Sequence, residues 1–467
     1  MENNLNKKWY EKIPHPYILL FFIIVLSGIM TYIIPAGEYE RAKINGRMVV
    51  VAGTFKNIAS SPVSFFDLFK SIPLGMISAA SIIFITFISG ALFNVLGATG
   101  ALENGVGLSV KKIGVGSYKK LIWVVTFIFG FLGAAVGFEN NIALVPIAVL
   151  VAMALGGDLM VGAGMAVAGI GIGFATSPIN PYTIGTSHLI AQLPMFSGAL
   201  FRTVFCLTTL ALTAHHTCRY MDRILKDPSK SLVSDISAEG LRLTHPIEEY
   251  HLRKTDRLVL GTFLAGMAVI LYGVFKWGWY INEMSAVFII IAVVAGLIAK
   301  MSPSDIVNKM IEGAGCIAGG ALVIGLARGI QVVLDMGHIS DTIVNGLASP
   351  LQGLPTTLSA ILMTLVHSVI NFFIPSGSGQ AMATMPIMIP LSDLIGMTRQ
   401  TAIMAFQVGD GIMNMIFPTM GGMLAMIALA RVPFDRWFRF VFPLVMKILL
   451  VSWVFLAVAV YINWGPA

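Results

Sequence analysis

The feature that most constrains this chain is a series of apolar stretches, each about 20 residues long and almost free of charge. A stretch of that length can cross a bilayer as an α-helix. Within hydrocarbon, only helices and closed barrels satisfy every backbone hydrogen bond. The sequence therefore predicts an all-α polytopic membrane protein. The predicted spans are residues 15–35, 72–98, 159–184, 196–214, 258–275, 281–300, 314–334, 399–430 and 438–462.

The composition supports this class. Of the 467 residues, 57% are hydrophobic and 11% are charged, whereas soluble proteins carry roughly 25% charged residues. The net charge of +7 comes from basic clusters between apolar stretches, as the positive-inside rule predicts, so we expect a lipid partner and no nucleic acid. The sequence contains no Walker, H-E-x-x-H or nucleophile-elbow motif. HHTC (215–218) has metal-ligand spacing but falls at the membrane boundary with no second ligand pair nearby. We expect no enzyme, no cofactor and no metal site.

Two further apolar stretches, 121–155 and 356–396, are too long for one crossing. Polar or helix-breaking residues interrupt both, GFENN in the first and PSGSGQ in the second. Each stretch is therefore either two full spans or a re-entrant hairpin. With every basic cluster in the cytoplasm, both arrangements give a consistent topology. The loop 37–70 disagrees, because it should be outside but carries several basic residues.

The two halves of the chain resemble each other. GFENNIALVPIAV aligns with GSGQAMATMPIMI, and SPINP (177–181) aligns with NMIFP (414–418). The separation stays near 237 to 240 residues over about 110 positions. With opposite orientations, the halves form inverted repeats, the architecture of secondary transporters in which broken helices meet at mid-membrane.

This organisation predicts the domain boundaries. A cytoplasmic N-terminus covers 1–14, and the first repeat covers 15–214 with a hairpin at 119–156 and a broken helix at 159–184. A cytoplasmic linker covers 215–257 and a connecting helix 258–275. The second repeat covers 281–463 with a hairpin at 355–396 and a broken helix at 399–430. The C-terminus is then outside.

Hairpin tips and broken helices leave backbone groups unpaired at mid-membrane, where they must face one another, a ligand or water. Prolines would break the helices, and glycines would let the backbone approach a ligand. The predicted binding residues are Gly137, Glu139, Asn140, Asn141, Thr176, Ser177, Asn180, Ser376, Gly377, Ser378, Gly379, Gln380, Asn414 and Thr419. The predicted helix-breaking residues are Pro178, Pro181, Pro375 and Pro418.

Four ionisable residues lie inside apolar segments, where such residues are functional candidates by default. Glu139 is the strongest candidate, and Asp410 is either functional or a lining residue of a watery vestibule. Arg328 fits an ion pair, a dimer interface or a substrate carboxylate equally well. His367 fits a packing role better than a proton relay.

At GFENNIALVP and PSGSGQAMATMP, each followed by a proline-broken helix, the chain resembles the anaerobic C4-dicarboxylate carrier family. This family of the ion transporter superfamily includes the YfcC-like proteins and arginine/ornithine antiporters. The resemblance covers essentially the whole chain. It implies a homodimer in which two hairpins and two broken helices move across the membrane like an elevator.

The chain departs from its superfamily at the first hairpin. Relatives carry Ser-Asn-Thr at both hairpin tips. At its second tip, this chain has Ser376-Gly377-Ser378 in the corresponding position. The first tip has Val136-Gly137-Phe138 instead. This departure favours proton coupling through Glu139, with Asp410 as a second candidate, over sodium coordination at that tip.

We therefore expect a secondary active transporter in a prokaryotic cytoplasmic membrane, with Na⁺ or H⁺ as coupling ion. The lone acidic residue at one tip favours an amino acid substrate, including exchange of basic amino acids. A C4-dicarboxylate is the alternative substrate. A passive channel is the alternative from another class, and a membrane-bound sensor or peptidase is disfavoured because the chain has no large cytoplasmic domain.

Overall fold

The computed structural model describes residues 16–44, 47–51, 53–239, 241, 245, 249–351 and 353–465. The predicted cytoplasmic N-terminus, 1–14, lies outside the described residues. The chain is mostly helical, and within the described residues nine helices are long and apolar enough to cross a membrane. It is thus a multi-pass membrane protein.

The first half of the chain contains ten α-helices, α1 to α10, most of which are joined by short loops. They are α1 (Pro16–Ile33), α2 (Phe65–Ser78), α3 (Ala80–Thr99), α4 (Ala101–Ile113), α5 (Tyr118–Val136), α6 (Val145–Ala154), α7 (Leu159–Ala163), α8 (Gly169–Thr176), α9 (Thr186–Ala191) and α10 (Ala199–Lys226).

The second half repeats much of this order. Its helices are α11 (Lys254–Trp277), α12 (Ile281–Ile298), α13 (Pro303–Cys316), α14 (Ala318–Met336), α15 (Ser340–Ala348), α16 (Thr356–Phe373), α17 (Gly377–Leu394), α18 (Arg399–Met413), α19 (Gly421–Leu429) and α20 (Phe434–Tyr461). Tighter 3-10 turns lie at Val115–Ser117, Glu139–Leu144, Pro228–Lys230 and Ser349–Leu351, and wider π turns at Gly164–Ala168 and Pro181–Gly185.

The expectation of an all-α chain needs one correction, in the loop that follows α1. Four short strands form two antiparallel pairs, β1 (Gly37–Glu38) with β4 (Lys56–Asn57) and β2 (Arg41–Ile44) with β3 (Arg47–Val50). β2 and β3 flank the sequence Asn45-Gly46, and Asn-Gly between β-prone segments is a strong hairpin signal. The Asn-Gly pair is therefore the sequence signal for this hairpin.

The β loop is fastened to the segment after α14. Arg41 forms an ion pair with Asp341 at 2.9 Å, and the same carboxylate accepts a 2.9 Å hydrogen bond from the backbone N–H of Tyr39. Burial, together with the Asp341 charge, raises the pKa of Tyr39 to about 12. The basic residues that disagreed with the predicted topology therefore include one that holds the loop in place.

The two ends of the first interrupted stretch lie at the same end of α10. At the start of α5, the Tyr118 hydroxyl donates to Asp222 at 2.5 Å. Just after α6, the Asp158 carboxylate accepts from the Tyr220 hydroxyl at 2.7 Å. Asp222 and Tyr220 belong to the last two turns of α10. The chain thus enters along α5, turns at residues 137–144 and returns along α6 to its starting level.

The second interrupted stretch closes in the same way at the other end of α10. The Thr356 hydroxyl donates to the carbonyl oxygen of Ile395 at 3.0 Å, which joins the start of α16 to the end of α17. Immediately beyond, Gln400 donates to the Ser197 carbonyl oxygen at 3.0 Å, just before α10 begins. Since the 28 residues of α10 span about 42 Å at 1.5 Å per residue, the two turns open toward opposite ends of the molecule.

Two helices of the first half, α2 and α3, pack against two helices of the second half, α13 and α14. α2 and α13 begin 238 residues apart, at Phe65 and Pro303, and α3 and α14 also begin 238 residues apart, at Ala80 and Ala318. α2 packs against α14, and α13 packs against α3. The contacts are backbone to backbone: a Cβ on Gly75 would lie 2.4 Å from the Gly325 oxygen.

The helix boundaries differ from the predicted spans in several places, and three of them change how the chain is divided. The predicted spans 72–98 and 314–334 each contain a one-residue break, at Ala79 and at Ile317. The predicted boundary at 214/215 falls inside α10, which continues to Lys226. Because α10 carries polar and basic residues along its last three turns, its hydropathy pattern ends before the helix does.

Candidate functional site

A polar cavity lies where the two turned segments meet the unwound part of the second broken helix. Its volume is about 90 Å³, enough for several waters or a small solute, since one water needs about 10–15 Å³. The described residues that line it include Gly137, Phe138, Glu139, Asn140, Pro375, Ser376, Gly377, Ser378, Asn414, Thr419, Met420, Gly421 and Gly422 from these three segments.

Glycine is required where α5 ends. Gly137 has φ +113°, a backbone conformation that side chains other than glycine rarely adopt. It follows Val136, the last residue of α5, and turns the chain into the 3-10 turn at Glu139–Leu144. This glycine therefore ends α5 at the cavity and exposes the last carbonyls of the helix.

The two asparagines of the first tip satisfy those carbonyls. The Asn140 amide donates to the Val136 oxygen at 2.6 Å, and the Asn141 amide donates to the Gly137 oxygen at 2.6 Å and to the Leu132 oxygen at 3.3 Å. Asn140 still lines the cavity, whereas Asn141 is buried away from it. Their first role is to complete the hydrogen bonding of the turn, which any buried backbone group requires.

Glu139 differs from Phe138, Asn140 and Asn141 because it is only partly buried, and it faces the cavity. Its side chain packs on the start of α19, where a Cβ on Gly422 would lie 2.8 Å from the Glu139 Cγ. The charged side chain thus borders the space that a ligand would occupy.

Ser376 shapes the second tip. Its hydroxyl accepts the Gly379 N–H at 3.3 Å and caps α17. Gly377 lies close to Asp410, since a Cβ there would be 3.3 Å from the Asp410 Oδ2. Ser376, Gly377 and Ser378 line the cavity, so the N-terminus of α17, which carries the positive end of a helix dipole, points toward it.

Gln380 and His367 bind each other behind this tip. The Gln380 amide donates to the His367 carbonyl oxygen at 2.9 Å, and both side chains are fully buried. Neither they nor Gly379 line the cavity. Gln380 thus ties α17 to α16 rather than facing the cavity.

The break in the first broken helix is stabilised by its own hydrogen bonds and lies outside the cavity wall. The chain leaves α8 after Thr176 and resumes helical structure at Pro181. Asn180 caps the new turn, accepting from the N–H groups of Tyr182 at 2.8 Å and Thr183 at 3.1 Å. The predicted residues of this break, Thr176, Ser177, Pro178, Asn180 and Pro181, do not line the cavity.

The second break opens the cavity. α18 ends at Met413 and α19 begins at Gly421, and both Asn414 and Thr419 of the unwound segment line the cavity. The Asn371 amide donates to the Asn414 Oδ1 at 2.8 Å, which orients that side chain from α16. Pro418 lies in this break but does not line the cavity.

Asp410 is a fully buried carboxylate in the last turn of α18. Neither of its oxygens has a hydrogen-bond partner in the described structure. The Thr183 hydroxyl, also without a partner, belongs to a side chain that lies beside Gly377 as well, since a Cβ there would be 2.8 Å from the Thr183 Cγ2. Buried oxygens left unpaired in this way require an explanation such as a bound ion or water.

Arg328 is the main lining residue that the sequence left undecided. It lies on α14 and faces the same cavity as Glu139, and its Nη1 donates to the Gln331 Oε1 at 2.6 Å. Tyr182 and Tyr280 also line this cavity, with ring centroids 5.6 Å apart. A charged residue inside an apolar span was the available signal for Arg328, whereas nothing in the sequence marked the tyrosines.

Comparison with known proteins places these features in a family. Residues 13–461 match the model of the C4-dicarboxylate anaerobic carrier family. The chain belongs to this family. An uncharacterised protein of Haemophilus influenzae is 27% identical over 98% of this chain and 99% of its own length. A protein of Escherichia coli named "Putative basic amino acid antiporter YfcC" is 28% identical over 94% of both chains.

Two solved structures resemble this member of the C4-dicarboxylate carrier family only distantly. The Alcanivorax borkumensis YdaH transporter has a TM-score of 0.45 and 16% identity over 97% of this chain and 100% of its own. Neisseria gonorrhoeae MtrF has a TM-score of 0.44 and 16% identity over 97% of this chain and 96% of its own. The family match makes the chain a membrane transporter, in agreement with the sequence-based prediction.

Proposed function

We propose that the chain is a secondary active transporter of a small carboxylate-bearing metabolite, with an amino acid as substrate. The observation that carries this proposal is the polar cavity between the two turned segments, which is lined by both Glu139 of the first turn and Arg328 of α14. A charged pair held apart around an opening suits a ligand that carries both signs of charge.

The charges favour an amino acid over a dicarboxylate. The carboxylate of the substrate would bind Arg328 and the N-terminus of α17, and its ammonium would bind Glu139. A C4-dicarboxylate would bring a second negative charge toward Glu139, which costs free energy. The name of the Escherichia coli relative supports basic amino acid exchange, and the family description supports the dicarboxylate as the alternative.

We infer that the halves form inverted repeats. Three features support this: the 238-residue offset between equivalent helices, their reciprocal packing, and the two turned segments that open at opposite ends of α10. These segments are then re-entrant hairpins. With α2, α3, α13 and α14 as a fixed scaffold, the hairpins and broken helices would move past it as an elevator.

The coupling ion would bind near Asp410. A carboxylate, a threonine hydroxyl and unwound backbone carbonyls are the oxygen ligands that Na⁺ uses at broken helices, and a buried carboxylate can equally carry a proton. Asp410 and Thr183 supply the side-chain oxygens, and Glu139 is the second candidate for H⁺. We propose a homodimer in a prokaryotic cytoplasmic membrane, with the basic loops and N-terminus inside and the C-terminus outside.

Counterflow in proteoliposomes tests the proposal. Vesicles loaded with one unlabelled solute would be offered the same labelled solute, in separate series with lysine, ornithine, glutamate and succinate. We expect saturable uptake of at least one amino acid, stimulated by the internal solute. Stimulation by succinate alone would replace the substrate with the dicarboxylate. Flux that neither saturates nor responds to internal solute would contradict a carrier and favour a channel.

A further inference from the structure

A second cavity lies far from the first, between the charged ends of α10 and α20. Its volume is about 1040 Å³. His216 and Phe440 join the two helices beside it, with the imidazole Nε2 2.9 Å from the Phe440 carbonyl oxygen. Nothing in the transport cycle proposed above uses this space.

The lining of this cavity is strongly basic. Arg219, Arg223 and Lys226 on α10 face it together with Lys447 on α20. These four side chains are exposed and form no ion pair among the described residues. Asp222, the acidic residue in the lining, is already bound by Lys119 at 2.9 Å. The cavity therefore has uncompensated positive charge and suits an anionic ligand.

The positions of the basic residues indicate a ligand at the membrane surface. Arg219 and Lys226 are seven residues apart on one helix, about 10 Å along its axis. Lys447 lies near the middle of the 28-residue α20, and a lysine at that depth extends its charged end toward the interface. The charged ends of these side chains would therefore lie at the depth of the lipid phosphates in the membrane interface.

The same face continues into an apolar strip. Beyond Lys447, the side chains of Leu450, Val454 and Val458 on α20 are exposed, with exposed fractions of 58%, 61% and 42%. Their spacing of four and four residues keeps them in line with Lys447 on one side of the helix. A ligand with a phosphate head at the basic residues would have apolar chains along this strip.

We propose that this cavity binds the headgroup of an anionic phospholipid, whose acyl chains lie along the exposed strip of α20. Basic pockets between transmembrane helices at the cytoplasmic surface suit such headgroups. A phospholipid would contact the basic residues and the apolar strip with one molecule, whereas a free phosphate compound would contact the basic residues alone, so charge and shape together favour the lipid.

Thermal unfolding of the purified full-length protein in detergent tests this site without any transport assay. The additions are phosphatidylglycerol, phosphatidylcholine of equal chain length, and glycerol 3-phosphate as the soluble head. We expect phosphatidylglycerol to raise the Tm at least about twice as much as phosphatidylcholine, because a ligand that binds only the native state stabilises it. Glycerol 3-phosphate should have little effect.

The variant R223Q/K447Q removes two charges from the cavity. Its matched control, K254Q/K300Q, removes two exposed lysines of the predicted cytoplasmic side, one at the first residue of α11 and one just after α12. We expect the lipid-specific rise in Tm to fall by at least about half in R223Q/K447Q and to persist in the control. Native mass spectrometry should show the same loss as fewer retained phosphatidylglycerol molecules, which holds even if the variant is less stable.

Three results would overturn the proposal: equal Tm rises with the two lipids, an equal rise with glycerol 3-phosphate, or equal losses in R223Q/K447Q and the control. The second result would indicate a soluble phosphate ligand, and the third would indicate nonspecific attraction to the basic surface. None of them bears on the substrate cavity, so the transport proposal stands or falls separately.

Discussion

Glu139 and Arg328 carry opposite charges on the walls of one cavity, and each has a distinct proposed partner on the substrate. Among the described residues no direct ion pair joins them, and the Arg328 guanidinium donates to Gln331 instead. A substrate with both charges would satisfy them together. Two substitutions test the two halves of this statement.

Glu139→Gln keeps the size of the side chain and removes its charge. We expect transport of a cationic or zwitterionic substrate to fall about 10- to 100-fold, because a hydrogen bond to a charged group contributes about 1.5–3 kcal/mol. Uptake into proteoliposomes across a pH series measures it, with Glu239→Gln, an exposed residue between α10 and α11, as control. Unchanged affinity and unchanged pH dependence would remove Glu139 from the mechanism.

Arg328→Gln removes the proposed carboxylate partner. We expect a KM at least about 10-fold higher, with partial recovery in Arg328→Lys, since lysine keeps the charge but not the paired donors of arginine. A substrate analogue lacking the carboxylate should be affected much less. If the variant lost equal affinity for both compounds, Arg328 would be acting on the fold of α14 rather than on the carboxylate.

At the scale of elements, the first hairpin depends on the backbone at its tip. Gly137→Ala puts a side chain at φ +113°, with its Cβ 3.0 Å from the Tyr182 ring. Such strain costs about 1–3 kcal/mol, so we expect a lower Tm and slower transport. The matched control is Gly97→Ala in α3, where a Cβ meets nothing within 4 Å and helix propensity favours alanine.

A Tm unchanged in Gly137→Ala, measured beside that control, would contradict the tight turn described here. A lower Tm in both variants would mean that Gly→Ala substitutions destabilise the protein irrespective of the turn at Gly137.

The elements differ in how far the sequence could predict them. Proline and glycine within apolar runs marked the interruptions at 137–144, 177–180, 374–376 and 414–420, because helix breakers act locally. The break at Ala79 had no such mark. The roles of Asn141 and Gln380 were also beyond the sequence, since an amide that caps a neighbouring backbone and one that faces a ligand look alike until the partners are known.

At the scale of the whole molecule, the 238-residue offset was visible in the sequence, and the packing of α2 on α14 and α3 on α13 was not. Weak similarity reveals that two halves share a pattern, whereas their reciprocal contacts depend on glycine surfaces such as those at Gly75 and Gly313. Small residues of this kind allow helices in a membrane to approach closely. The proposed transport motion requires that this packed pair stays fixed.

Sided cysteine labelling of the two hairpins tests the central claim most directly. Single cysteines would be placed at the ends of the first hairpin (Lys120→Cys, Met153→Cys) and of the second (Thr357→Cys, Leu394→Cys), after Cys206, Cys218 and Cys316 are replaced by serine. With a membrane-impermeant reagent on sealed vesicles of known orientation, we predict labelling of the first pair from one face and of the second pair from the other. Labelling of the two ends of either hairpin from opposite faces would contradict the account.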